Sequence, residues 1–257
     1  MQPIQSELAT LGGFFALATH QSEPAPAPPW RPLTELLTEP AVLRDRFAMV
    51  RAGLATSAGL GDQQEVPARV AASVSQLGLV ARIVSPALAV AVLSGQVLGM
   101  ELADLRWQPL LGGAFPLSVW QGVELQGQPL TGAAGPAQPG GEDAEVAQLA
   151  GLFAATVLAG PVAELTAAVQ RACPVSPLVV WGNVASAVNG AASMIAAGRP
   201  MLAARSFRLS RAILRQRPLS IPDAAAGAAF RRRSCCLIYR TAPGRWAVCG
   251  DCVLRAD

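Results

Sequence analysis

A chain of 257 residues that is 52% hydrophobic and only 14% charged can bury a substantial core and is too apolar to remain disordered. Aromatics make up 5%, so Ala, Leu and Val must fill the interior, which favours close-packed helices. The net charge of +3 is unevenly spread: residues 199–257 hold 12 arginines against three aspartates, the remainder is net −6, and lysine is absent.

In chain order, Gln5–His20 reads as a short helix with apolar Leu8, Leu11, Phe14, Phe15 and Leu17. Acidic Glu7 and Glu23 flank this stretch and no positive region precedes it, so a secretory leader is not expected. Pro-rich Glu23–Pro32 predicts a linker of polyproline character. Leu33–Leu54 predicts helix interrupted near Pro40. Val66, Val70, Val74, Leu77, Ala81 and Val84 then recur at helical spacing as one apolar stripe, with Pro67 suited to the first turn. Pro86 predicts the start of another apolar helix, reaching about Val97.

The middle changes character. Trp107, Phe115 and Trp120, with Pro and Gly between them, predict short strands within Leu105–Val123; a Gly-, Pro- and Gln-rich loop from Gly122 to Gly141 follows. Glu142, Asp143 and Glu145 suit the first turn of a helix running to about Gly160, and Pro161 starts another reaching Ala172. Leu178–Ala197 and Met201–Arg215 are further helices. Residues 83–100, 146–163 and 172–198 lack a charged side chain, yet their Ser, Asn, Gln, Pro and Gly content favours buried helices over membrane spans. The expected fold class is thus mainly α (α+β): a helical body over residues 1–229 with a small central β element, then a cysteine-rich segment at 230–257.

Four of the five cysteines lie close together, as adjacent Cys235 and Cys236, then Cys249-Gly250-Asp251-Cys252. Four thiols in so short a span imply a metal or redox centre if the protein is cytosolic. Structural zinc sites prefer two separated CxxC pairs, whose sulfurs converge on one ion. Adjacent cysteines diverge along an extended backbone, which suits the two metal atoms of a [2Fe–2S] cluster better. Zinc remains the first competitor, and a vicinal disulfide beside a redox-active CxxC the second. Cys173 reads as a buried apolar thiol, and His20, the sole histidine, as an ordinary surface or helix-end residue.

The tail Arg232-Arg233-Ser234-Cys235-Cys236-Leu237-Ile238-Tyr239-Arg240, ending Val248-Cys249-Gly250-Asp251-Cys252, resembles the signature of FhuF-type ferric-siderophore reductases. Trp181-Gly182-Asn183 and the stretch Val66–Leu93 are also similar to what that family carries. One departure is the spacing: twelve residues separate the cysteine pairs, against about ten expected of the family, and a turn at Thr241-Ala242-Pro243-Gly244 would absorb the excess.

The resemblance implies a [2Fe–2S] cluster on Cys235, Cys236, Cys249 and Cys252 and one-electron reduction of a ferric siderophore, with hydroxamate or related oxygen donors. No flavin or nicotinamide motif is present, so an external donor such as a ferredoxin or flavin reductase is expected. Arg231, Arg232, Arg233, Arg240 and Arg245, with Trp246, would face the substrate or donor. Nucleic-acid binding is not expected, because the basic tail lacks interleaved aromatics. A cytoplasmic location follows, with loose association with the inner membrane face allowed. The rival functions are a non-catalytic zinc module whose basic tail meets an acidic partner, and a siderophore-binding accessory protein with a structural cluster.

Overall fold

The computed structural model describes residues 2–60, 65–112, 114–129, 141–241 and 248–254. It is 59% helical with two small sheets, as the composition led one to expect. The helices are α1 (Gln2–Thr10), α2 (Glu35–Thr38), α3 (Pro40–Ser57), α4 (Ala68–Ser94), α5 (Gly141–Phe153), α6 (Ala163–Ala172), α7 (Pro177–Gly198) and α8 (Ala203–Arg215). A π-helical stretch, Ala154–Val162, joins α5 to α6 and kinks at Gly160, just before Pro161. Proline there cannot donate to the ladder, so the break follows from the sequence.

The longest helix departs from expectation. Pro86 does not begin a new helix but lies inside α4, and Pro67 caps that helix rather than sitting in its first turn. Pro86 removes one backbone donor, and packing on every side holds the helix together: all residues from Arg82 to Val92 are buried. A single apolar stripe is therefore the wrong description, since a helix enclosed all round is apolar all round. The chief packing partner of α4 is α7, which also packs on α8. Each fully buried Leu, Ile or Val along this contact contributes about 1.5–3 kcal/mol. Residues 68–94, 143–172 and 177–198 are long and apolar enough to cross a membrane by length and composition, and 72%, 44% and 61% of their most apolar windows are buried within this fold.

The β element is larger than the sequence indicated. Strands β1 (Ala18–His20), β2 (Arg31–Pro32), β4 (Leu105–Trp107) and β5 (Leu117–Trp120) form one sheet in the order β1-β5-β4-β2, with β1 parallel to β5 and the other pairs antiparallel. β3 (Val97–Leu98) and β6 (Leu125–Gln126) form a second antiparallel pair. The expected helix over Gln5–His20 thus stops at Thr10, and its end becomes β1, paired to a strand about a hundred residues distant. His20 lies on that strand, with Nδ1 2.8 Å from Ser118 Oγ.

Two buried arginines lock the sheet to the helices. Arg82 of α4 donates to the carbonyls of Phe115 (2.8 Å), Phe14 (2.9 Å) and Ala16. Arg46 of α3 lies 5.3 Å from the Trp107 ring centroid and 5.0 Å from that of Phe115, where cation–π attraction is strongest once water is excluded. Burial pushes both guanidinium groups down to about 10, so they remain charged at neutral pH. Trp107 in turn donates to Glu35 Oε1 at 2.7 Å.

Candidate iron–sulfur site

The site is built where the first turns of α4 and α7 meet the C-terminal segment. Gly182 of α7 leaves the space: a Cβ there would collide with Ser234 Oγ and come within 3.4 Å of Arg232 Nη2. Ser234 Oγ donates to Leu178 O at 2.5 Å, Ser73 Oγ donates to Cys236 O at 2.8 Å, and Ser186 Oγ donates to Asp251 Oδ2. Ser73 of α4 and Ser186 of α7, with Ser234 of the segment itself, therefore tie both halves of the cysteine motif to the two helices. The halves are also joined directly, by Arg232 N donating to Asp251 O at 2.9 Å.

Behind the cysteines runs a buried polar network. Asn183 Nδ2 donates to Gln76 Oε1 (2.8 Å) and to Ser73 O (2.9 Å), and its Oδ1 accepts from Arg232 Nη2. Gln76 Nε2 donates to Thr166 Oγ1 (3.2 Å) and Val180 O (3.3 Å), which extends the chain to α6. The Asn183 and Gln76 amides are held by these bonds, and buried hydrogen-bonded networks fix side-chain positions. Trp181-Gly182-Asn183 thus braces the cysteine segment rather than merely starting a helix. Ser73, Gln76 and Ser186 were not singled out from sequence; the available signal was polar side chains inside otherwise apolar helices.

The four sulfurs form two pairs. Cys236 Sγ is 3.8 Å from Cys249 Sγ, and Cys235 Sγ is 3.7 Å from Cys252 Sγ. Metal–thiolate bonds of about 2.3 Å at a tetrahedral centre give an S···S edge of about 3.8 Å. Each pair therefore has the span of two ligands on one metal atom, and each takes one member from the adjacent cysteines and one from the CxxC. The divergence of neighbouring side chains is what distributes them so. Two pairs of thiolates fit a [2Fe–2S] cluster.

Local backbone supports that reading. Leu237 has a positive φ of 72°, and the chain turns back so that Leu237 N donates to Cys235 Sγ at 3.3 Å. Leu254 N donates to Cys252 Sγ at 3.4 Å. In each pair one cysteine is buried, Cys236 or Cys252, and the other, Cys249 or Cys235, is half-buried. A hydrogen bond from Cys249 holds the Cys236 thiol down at about 6 against its burial, helped by the Ile238 N–H and the Arg232 charge. Cys249, carrying the shared proton beside an ionised neighbour, is pushed far up. Burial raises Cys235 to about 11. A depressed Cys236 beside raised Cys235 and Cys249 suits a site that loads metal by proton release.

Of the proposed docking residues, Arg231, Arg233 and Arg240 are exposed near the cysteines. Arg232 is not: it is 2% exposed, because its side chain turns inward to Asn183, so it is withdrawn as a docking residue. Arg245, Trp246 and the turn expected at 242–244 lie outside the described residues. Cys173 is buried among Ala72, Val175, Val179 and Val180, and burial pushes its thiol up.

A search of curated proteins finds no match for this chain. Residues 232–254 match the family model of the FhuF 2Fe-2S C-terminal domain, a span that holds all four clustered cysteines. Residues 232–254 are therefore similar to a FhuF-type 2Fe–2S C-terminal domain, consistent with the siderophore-reductase family that the sequence resembles.

Proposed function

We propose that this protein reduces the ferric iron of a siderophore complex by one-electron transfer, and that Cys235, Cys236, Cys249 and Cys252 are the four ligands of the redox centre. The observation that carries this reading is the division of the sulfurs into two pairs of ligand span, 3.8 and 3.7 Å. A [2Fe–2S] centre, when bound, supplies electrons singly at a low potential. An electron from an external donor, such as a ferredoxin or flavin reductase, converts the substrate's Fe³⁺ to Fe²⁺. Hard oxygen donors such as hydroxamates hold Fe²⁺ far more weakly, so the metal is released in the cytoplasm.

The protein's own groups bind and orient. Half-buried Cys235 and Cys249 bring one edge of the site towards solvent, and Arg231, Arg233 and Arg240 give that edge positive charge. Beside it lies a cleft of about 250 Å³ between the start of α7 and residues 218–221, lined by Leu178, Trp181, Pro218, Ile221 and Arg233. Enclosing sites for small molecules run to about 300–1,000 Å³, so a siderophore complex would rest over this cleft rather than inside it. Such shallow contact suits recognition of the iron–oxygen face over one particular scaffold.

The test mixes anaerobically purified, dithionite-reduced protein, freed of excess reductant, with a ferric hydroxamate siderophore and a chromogenic ferrous chelator. Bleached visible absorption should return while the chelator colours in proportion. A centre that stays reduced beside an uncoloured chelator defeats the reductase reading and leaves a structural cluster. One zinc per chain with no inorganic sulfide defeats the cofactor itself.

A further inference from the structure

Arg232 carries five N–H donors on a planar, permanently charged group and is 2% exposed. One donor, on Nη2, goes to Asn183 Oδ1. Nε and Nη1 are buried and have no acceptor among the described residues, and the salt bridges found there do not involve Arg232. A buried cation with donors unmet bears its full desolvation penalty, so an acceptor of negative charge is required.

The guanidinium is also held in place. Its backbone N–H is bonded to Asp251 O at 2.9 Å inside the CxxC, and Asn183 is fixed by Ser73 and Gln76 of α4. Ser73, which fixes Asn183, also donates to Cys236 O at 2.8 Å, and Asp251 stands between Cys249 and Cys252, so both anchors of Arg232 lead to the cysteine motif. The anionic group due in that place is the iron–sulfur centre, whose sulfurs accept hydrogen bonds and whose reduction adds one negative charge.

Resting on the function proposed above, we infer that Arg232 is a positioning residue that donates from its free Nε and Nη1 to sulfur of the centre and raises its reduction potential. A fixed buried cation favours the reduced form over the oxidised one. Lysine offers a point charge without the fork and should replace arginine only in part. Neighbouring Arg233, exposed at the cleft, should have little influence on the potential.

Wild type, Arg232→Gln, Arg232→Lys and Arg233→Gln are assayed for iron and acid-labile sulfide, then titrated under EPR. Loaded R232Q should bind the electron at least tenfold more weakly, a fall of about 59 mV for a one-electron couple. R232K should fall between, and R233Q should match wild type. A loaded R232Q protein with the wild-type midpoint overturns the inference. Should R232Q fail to load or fold, wild type and R233Q carrying ¹⁵N in the arginine side chains are examined by pulsed EPR in the reduced state. A weakly coupled ¹⁵N is expected in both, and its absence from a loaded wild type overturns the inference. A wild type lacking iron and sulfide removes the function proposed above, and this inference with it.

Discussion

Cys249 and Cys173 show why the same side chain has different value in two places. Cys249 completes a sulfur pair with Cys236, whereas Cys173 packs among aliphatic side chains as a small hydrophobe. Cys249→Ser puts a harder, poorly ionised hydroxyl where a thiolate is needed. The variant is expected to lose more than about half its iron and sulfide, or to keep a centre with an altered EPR spectrum. Cys173→Ser should leave both unchanged, at a stability loss of about 1–2 kcal/mol for a hydroxyl in an apolar setting. Iron and sulfide analysis beside a urea titration separates the two, and an unaltered spectrum in C249S would show the ligand assignment to be wrong.

At the scale of elements, the site depends on α7 approaching the C-terminal segment closely, and Gly182 permits that approach. In Gly182→Ala the new Cβ meets Ser234 Oγ, whose rotation away would break its bond to Leu178 O. Arg232 Nη2, 3.4 Å from the same point, blocks the other direction. Overpacking of this kind costs about 1–3 kcal/mol, despite the higher helix propensity of Ala. The expected outcome is a folded helical body, by far-UV circular dichroism, that retains its cluster poorly; full retention would mean that the segment can shift freely. Most helices were legible because Pro40 and Pro161 and the apolar spacing are local signals. The cysteine pairs were legible because their chemistry is rare. What escaped was non-local: β1 and β2 are short strands fixed by partners far along the chain, and α4 continues through Pro86 because surrounding elements enclose it. The inward turn of Arg232 escaped for the same reason, since a run of three arginines does not indicate which one meets Asn183.

For the whole molecule, the chain's charge is divided, with +9 over residues 199–257 and −6 before them. Exposed Arg231, Arg233 and Arg240 flank Cys235 and Cys236 along the chain, so an acidic electron donor would be steered to that edge. Reduction by an acidic ferredoxin is expected to slow about tenfold between 0.02 and 0.3 M salt, as screening shortens the reach of the field. Reduction by an uncharged mediator should not change, and equal salt dependence for both would remove the steering argument. Stability is coupled along the same route. Phe230 is 1% exposed within the main core, and Ser73, Ser186 and Ser234 tie the cysteine segment to α4 and α7. A centre that binds only the folded arrangement therefore stabilises the body as well as the tail. Losing it forfeits about 2 kcal/mol or more, equivalent to about 4 °C or more in midpoint for a chain of this size. Anaerobic thermal unfolding followed at 222 nm reports the body's helices, which lie almost wholly outside residues 230–257. Apo-protein is expected to melt earlier in that signal. Coincident midpoints for apo and loaded protein would mean that the segment loosens alone and that the polar network between α4, α7 and Arg232 contributes nothing to the cohesion of the body.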